Sequence, residues 1–292
     1  MLPLSSSPRL RALLVSLAIA AALLVYAVIS AEPVLRVSLF PEEKPSIMRR
    51  KLKPLTDYLE KKIAMKIEFR PMANEDDLVN GLVANKVDLA WFSGLDFIQA
   101  KLRSNEQVIP IVQRVEDAQT RSVFVTARVD IAGLEDLKGR TFAFGAETSV
   151  SDHLMPRAFM REAFVDPDIE MKHVVYAGSP DVVVAAVSGG KVDAGVLSAA
   201  AWERMLANGK ANAKVLHVFY TTPGYSDFNW TVRADMDANL RRELTSAFLS
   251  LDGGIGLDRE ILDLQRASRF IPADAENYTV IETVARSAGL LK

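Results

Sequence analysis

Lys86-Val87-Asp88-Leu89-Ala90-Trp91-Phe92-Ser93-Gly94 is echoed 105 residues on by Lys191-Val192-Asp193-Ala194-Gly195-Val196-Leu197-Ser198. In both, a lysine and an aspartate precede a short apolar run that closes on serine. Asp76 and Asp181 keep the same offset, each ahead of an apolar stretch with helical spacing. A short apolar run entered from a helix and left into another reads as a buried strand of an α/β layer. One reading of the echo is a duplicated unit giving two related lobes. The other is a chance likeness between two helix-to-strand connections.

Outward from these runs, β-rich segments alternate with amphipathic ones. Strands are predicted at 35–40, 66–70, 88–92, 108–115, 122–126, 141–144, 170–176, 192–197 and 214–219, and helices at 46–62, 75–84, 94–103, 152–163, 180–188 and 200–207. The alternation predicts an α/β protein with mostly parallel central sheets. After Tyr220 it breaks: a turn-rich stretch, Thr221-Thr222-Pro223-Gly224-Tyr225-Ser226-Asp227, leads into a strand-like run at 228–233 and then mainly helix. A tail that returns to the first lobe requires the chain to cross between lobes near 119–122 and 220–226. The expected division is 32–120 with 227–292 as lobe 1 and 121–226 as lobe 2, with a hinged cleft between them.

Composition narrows the function. The chain has 292 residues, 49% hydrophobic and 25% charged, ordinary for a folded protein with room for two domains. It has no cysteine, which excludes disulfides, thiolate chemistry, cysteine-bound zinc and a lipid-modified N-terminus. Its net charge of −2 without a basic stripe excludes a dedicated nucleic-acid binder. Arg9 and Arg11 precede an uncharged apolar run at 12–31, the order of an export signal, with Val28-Ile29-Ser30 as the cleavage site. Residues 1–31 are therefore expected to be a signal peptide, with an uncleaved membrane anchor as the alternative, and the remainder to work in the periplasm.

The sharpest local feature is Phe144-Gly145-Ala146-Glu147-Thr148-Ser149-Val150-Ser151-Asp152-His153. A strand ends, glycine turns the chain, and hydroxyl residues open a helix. Backbone N–H groups at that start, joined by Thr148, Ser149 and Ser151, form a compact oxyanion site, whereas plain helix capping is the alternative. Glu147 and Asp152 oppose a simple anion site. Trp91-Phe92-Ser93-Gly94 occupies the matching junction of the first unit, where Trp91 and Phe92 either wall the cleft or belong to the core. His153 reads first as a helix-start polar residue, and Asp193 as a strand-terminating group with a ligand role left open. No nucleophile elbow, P-loop, HExxH or spaced metal cluster is present, so no enzyme, cofactor or metal is expected.

Leu39-Phe40-Pro41, Pro54-Leu55-Thr56-Asp57-Tyr58-Leu59, 87–94, 148–156 and 192–196 together resemble, in order, the PhnD-like solute-binding proteins of phosphonate, phosphite and phosphate-type ABC importers. The resemblance spans about 34–230. It implies a type II periplasmic binding protein whose two α/β lobes, joined by a hinge, close over a small oxyanion and engage an ABC permease. By position it places Ser149, Val150 and Ser151, with Thr148 before them, on the family's serine-threonine-serine segment. Phe40, Trp91, Phe92 and Ser93 fall on first-lobe cleft positions, and Tyr225 lies in the second crossing. Two departures stand out: Asp152 replaces a glycine common after that segment, and Pro180 follows Gly178-Ser179 where a ligand-facing histidine is common. Both shift the expectation from a dianion to a monoanion or a neutral oxyacid, phosphite-like or arsenite-like. Relatives that report an oxyanion to a membrane sensor kinase supply the alternative function.

Overall fold

The computed structural model describes residues 33–41, 43–254 and 256–291, so the leader reading of 1–31 lies outside the described residues. The described chain begins with β1 (Val34–Leu39), α1 (Pro45–Ile63), β2 (Lys66–Phe69), α2 (Glu75–Val83), β3 (Leu89–Phe92), α3 (Gly94–Arg103) and β4 (Val108–Arg114). It continues through β5 (Ser122–Thr126), β6 (Thr141–Phe144), a single π turn (Val150–Leu154), α4 (Met155–Glu162), β7 (His173–Tyr176), α5 (Pro180–Ser188), β8 (Ala194–Ser198), α6 (Ala199–Ala207) and β9 (His217–Thr221). The last elements are β10 (Asn229–Arg233), α7 (Ala238–Leu249), α8 (Gly256–Gln265), β11 (Phe270–Pro272) and α9 (Thr279–Ser287).

The strands form two sheets, β11-β4-β10-β3-β1-β2 and β7-β6-β8-β5-β9. Each has a parallel half, β2-β1-β3 and β7-β6-β8, built by helical crossovers. The other halves are antiparallel, which corrects the expectation of mostly parallel sheets. The physical reason is the crossings. Strands β5 and β10 enter their sheets from the opposite end, so each runs against the β8 or β3 beside it. One strand boundary also moves: Pro167–Glu170 is a helical turn, capped by Asp166 and begun by proline, and β7 starts only at His173.

The 105-residue offset holds in three dimensions. Helices α2 and α5 have identical lengths at that offset, and their sheet neighbours match, β1 with β6, β2 with β7 and β3 with β8. Asp88 accepts the Arg36 amide at 2.8 Å, and Asp193 accepts the Thr141 amide at the same distance. Ser93 and Ser198 both cap the following helix, accepting from Asp96 N at 3.2 Å and Ala201 N at 3.4 Å. These shared bonds make the two units copies of one local design.

Apolar clusters sandwich both sheets. One face of the first sheet packs Leu35, Leu55, Trp230 and Phe248 beneath α1 and α7. The other packs Leu78, Phe92, Phe97, Tyr278 and Ile281 beneath α2, α3 and α9, and this cluster also takes in Val150, Leu154 and Met155 from the π turn and α4. An apolar seam therefore joins the two halves of the molecule.

Candidate functional site

The turn after β6 is shaped by one proline. Pro156 has no N–H to offer the carbonyl of Asp152, four residues back. That carbonyl accepts Gly145 N–H instead, at 3.0 Å, folding the turn onto the strand end. A Cβ on Gly145 would lie 2.5 Å from Asp152 Cβ, so only glycine permits the approach. The start of the helix widens into a π turn, with Leu154 N–H bonded to Ser149 O at 3.0 Å. Ser149 Oγ accepts Asp152 N–H at 3.0 Å, which is the capping expected as the alternative to anion binding. The first N–H groups of such a turn have no carbonyl behind them and remain suited to an oxyanion.

On the first sheet, Ser93 and Asp96 form a reciprocal capping box at the start of α3. Gly94 N–H donates to Asp227 Oδ1 at 3.1 Å. Beside this start, Phe40 meets Phe228 edge-on and Trp91 stacks on Phe228, with ring centroids 5.5 and 5.6 Å apart. The Arg114 guanidinium lies 4.9 Å from the Trp91 ring centre and pairs with Asp117. Phe40, Trp91 and Arg114 share a recess of about 80 Å³ with Met48 and Trp230.

Contacts around the π turn tie it to the crossing strands and to the start of α2. Ser122 Oγ donates to Ser151 O at 2.6 Å and lies 2.7 Å from the Tyr225 hydroxyl, and Tyr225 is two residues from Asp227. Thr148 Oγ1 donates to Glu75 Oε1, at the start of α2, at 3.2 Å. Val150 is buried in the seam.

The enclosed region is rich in carboxyl groups whose ionised forms are disfavoured. Burial pushes Asp227 up to about 8 and Asp96 to about 7. Burial also raises Asp152 and Asp117, against the Ser198 amide in the first case and Arg114 in the second. Tyr225 is raised well above its ordinary value by burial and by Asp227. Among the described residues no group of three or more His, Asp or Glu side chains is arranged to hold a metal ion.

Of the residues singled out in the sequence, Thr148, Ser149, Val150, Ser151 and Tyr225 lie on or beside the π turn, Ser93 caps α3 against Asp96, and Phe40 and Trp91 line the recess next to Arg114. Phe92 does not line the recess beside Trp91. Its side chain is fully buried in the cluster beneath α2 and α3, because successive strand residues face opposite sides and Trp91 takes the other one. His153 is also turned away. Its Nδ1 contacts Glu147 O at 2.7 Å, its Nε2 accepts Arg157 Nε–H at 3.2 Å, and its ring packs on Phe144 and Tyr176. Burial lowers its pKa, consistent with a neutral ring. Asp193 is at the wrong end of the sheet: it precedes β8 and binds Thr141 at the start of β6, whereas Gly145 and Ser198 mark the opposite ends of those strands. The residue departure at 152 has a local explanation, since Asp152 Oδ1 accepts Ser198 N–H at 2.8 Å inside its own unit. Sequence reading missed Asp227, Ser122 and Asp96. Asp227 stood in the turn-rich second crossing, but nothing in its spacing told a buried carboxyl from a turn residue.

The chain is similar to known proteins over most of its length. Residues 37–278 match the family described as the periplasmic substrate-binding protein of the phosphonate ABC transporter. The probable ABC transporter phosphite binding protein PhnD1 of Prochlorococcus marinus is 31% identical over 277 residues, covering 91% of this chain and 93% of the relative. The solved structure of PhnD1 in complex with methylphosphonate superposes with a TM-score of 0.75 at 32% identity, covering 88% of this chain and 98% of that one. The phosphate-import protein PhnD of Mycolicibacterium smegmatis is 29% identical over 53% of this chain and 52% of its own. With the type II binding-protein fold and the match over most of its length, this chain belongs to the family of periplasmic substrate-binding proteins of phosphonate ABC transporters.

Proposed function

We propose that this chain captures a small phosphorus oxyanion of the phosphite or phosphonate class and presents it to an ABC permease. The observation that carries the reading is the junction of two helix starts. Ser151 is tied through Ser122 to the Tyr225 hydroxyl, and two residues further on Asp227 accepts Gly94 N–H, so the second crossing runs from one helix start to the other. Backbone N–H groups at the start of the π turn and the Ser149 hydroxyl would supply neutral donors to anion oxygens. The Ser151 and Thr148 hydroxyls would join them on exchange of their present acceptors Asp152 and Glu75, whereas Ser93 Oγ and Gly94 N–H donate to Asp96 and Asp227. The ligands of PhnD1, phosphite and methylphosphonate, are anions of the right size and chemistry.

In this reading residues 32–120 with 227–292 move as one lobe and 121–226 as the other, and a ligand that touches both favours the closed form the permease recognises. Among the described residues the buried carboxyl groups Asp96, Asp117, Asp152 and Asp227 outnumber Arg114 and Arg204 beside them, which favours a monoanion over a dianion. Pro180 adds no donor, since it opens α5 at a position where its missing N–H costs nothing.

Calorimetry of residues 32–292 with phosphite, methylphosphonate, phosphate and sulfate tests the reading. One of the phosphorus oxyanions should bind, and replacing Ser149 and Ser151 together by Ala should weaken it by at least about a hundredfold, from two charge-assisted hydrogen bonds. Unchanged affinity in the folded double variant would remove these serines from the site.

A further inference from the structure

Behind the π turn lies a buried polar network that oxyanion binding by itself does not call for. His153 is 7% exposed and packs edge-on against the rings of Phe144 and Tyr176, both with centroids 5.0 Å away. Arg157, four residues on in α4, is also buried and firmly held. It donates to both carboxylate oxygens of Asp168 at 2.5 and 2.9 Å and to the Tyr176 hydroxyl at 3.2 Å, and it lies over the Phe144 ring. Its Nε–H goes to His153 Nε2 at 3.2 Å. A guanidinium has no lone pair to offer, so Nε2 is the acceptor and the ring proton sits on Nδ1. From Nδ1 it is donated to the carbonyl of Glu147, 2.7 Å away. Burial lowers the His153 pKa and Arg157 acts in the same direction, against the Glu147 bond, which keeps the ring neutral.

The consequence falls on the far side of one peptide bond. In a trans peptide the carbonyl and the following N–H point in opposite directions, and among the described residues no peptide is cis. With the Glu147 carbonyl drawn inward to His153, the N–H of Thr148 points away from the buried network. Thr148 itself reaches across to the other lobe, its hydroxyl 3.2 Å from Glu75. Rotated the other way, the same peptide would set a carbonyl oxygen, a partial negative charge, where an anion is to be held. The bonds on either side, Ser149 N–H to Ala146 O and Gly145 N–H to Asp152 O, both 3.0 Å, shape the turn without touching this peptide.

We propose that His153 is a positioning residue for oxyanion capture: as the neutral Nδ1–H tautomer, braced by Arg157 and Asp168, it locks the Glu147–Thr148 peptide so that the site receives its N–H and not its carbonyl oxygen. The inference rests on the oxyanion-receptor reading and deepens it by a residue that never touches the ligand. Preorganised backbone donors bind an anion well because they need not be turned toward it at the moment of binding. Here the cost of holding one of them is met by a bond on the opposite face of the turn, out of reach of solvent.

Two variants separate the donor from the ring. His153→Asn keeps an N–H donor, because its Nδ2 is as far from the backbone as Nδ1, and gives up the aromatic packing. His153→Phe keeps the packing and gives up the donor. Calorimetry with phosphite and methylphosphonate near neutral pH should show affinity reduced about tenfold in His153→Phe, the worth of one hydrogen bond, and within about threefold of the wild type in His153→Asn. A role in packing alone gives the reverse order. Unchanged affinity in His153→Phe, or an equal loss in His153→Asn, overturns the proposal and leaves the receptor reading standing. The tautomer is read without ligand, from the nitrogen NMR spectrum of wild-type protein labelled at histidine. The sequence has three histidines, and His173 and His217 are exposed, so His153 stands apart. It should be neutral with its proton on Nδ1, and a charged ring or a proton on Nε2 overturns the proposal. Should either variant fail to fold, this spectrum decides. Failure of the wild type to bind either anion overturns the receptor reading, and the proposal falls with it.

Discussion

Asp193 and Asp227 show how placement decides the work of a carboxylate. Asp193 is half-exposed, accepts both the amide and the hydroxyl of Thr141, and is approached by Arg128 at 3.3 Å. Burial acts against its ionisation, but the Thr141 bonds and Arg128 outweigh it and hold its pKa below the ordinary value. It is thus an ionised clamp between the starts of β6 and β8. Asp193→Ala should lower stability by about 1–3 kcal/mol, the cost of stripping a strand end of its acceptor, and leave ligand affinity unchanged. A melting curve and a binding isotherm on the same variant check this. A large loss of affinity with unchanged stability would put Asp193 back in the site. Asp88 performs the same clamp for Arg36 in the other unit. Asp227 has no such partner and is buried, so its chemistry is governed by desolvation.

The π turn and its supports form the element on which the site depends. Pro156 frees a carbonyl, Gly145 takes it, Asp152 reaches the start of α6, and Ser149 caps the result. Each bond was set by a residue type legible in the sequence, yet the widened turn itself was not, because the predicted helix at 152–163 had no feature to distinguish i−4 from i−5 bonding. Gly145→Ala pushes a Cβ into Asp152. The expected cost is about 1–3 kcal/mol of overpacking, with a coupled loss of affinity because the turn that presents Val150 and Ser151 must shift. Thermal unfolding together with calorimetry measures both. A variant as stable and as tight as the wild type would show the turn to be less constrained than its packing implies.

For the molecule as a whole, the decisive feature is the apolar seam. Val150, Leu154 and Met155 from one half are buried in one cluster with Leu78, Phe97 and Ile281 from the other, with the turn and α4 in contact with α9. Burial of each side chain of this size favours the closed arrangement by about 1.5–3 kcal/mol. Val150→Asp would place a charge in that seam and should open the lobes, raising the radius of gyration of the ligand-free protein and weakening ligand by about tenfold or more, since closure must then be driven by binding. Solution scattering with and without ligand reports the change. An unaltered radius in the variant would mean the seam does not hold the halves together.

The sequence by itself determined the order of strands and helices and the two strand-to-helix junctions at 92–94 and 144–152, and it raised the 105-residue echo that the matching bonds of the two units then supported. These are local matters: apolar runs at period 2 or 3.6, capping serines at Ser93 and Ser198, and a glycine at the end of a strand leave few local alternatives. It also carried the family resemblance, in motifs that lie near strand ends. Tertiary structure alone decided which of two adjacent aromatics, Trp91 or Phe92, faces the recess, that Asp193 lies at the start of β8 while Asp227 is buried beside Gly94, and that half of each sheet runs antiparallel. Those outcomes depend on how segments far apart in the chain pair in register, and on how much water they exclude. A carboxylate reads the same in sequence whether it ends up at a wet strand end or beside Gly94 in a dry one.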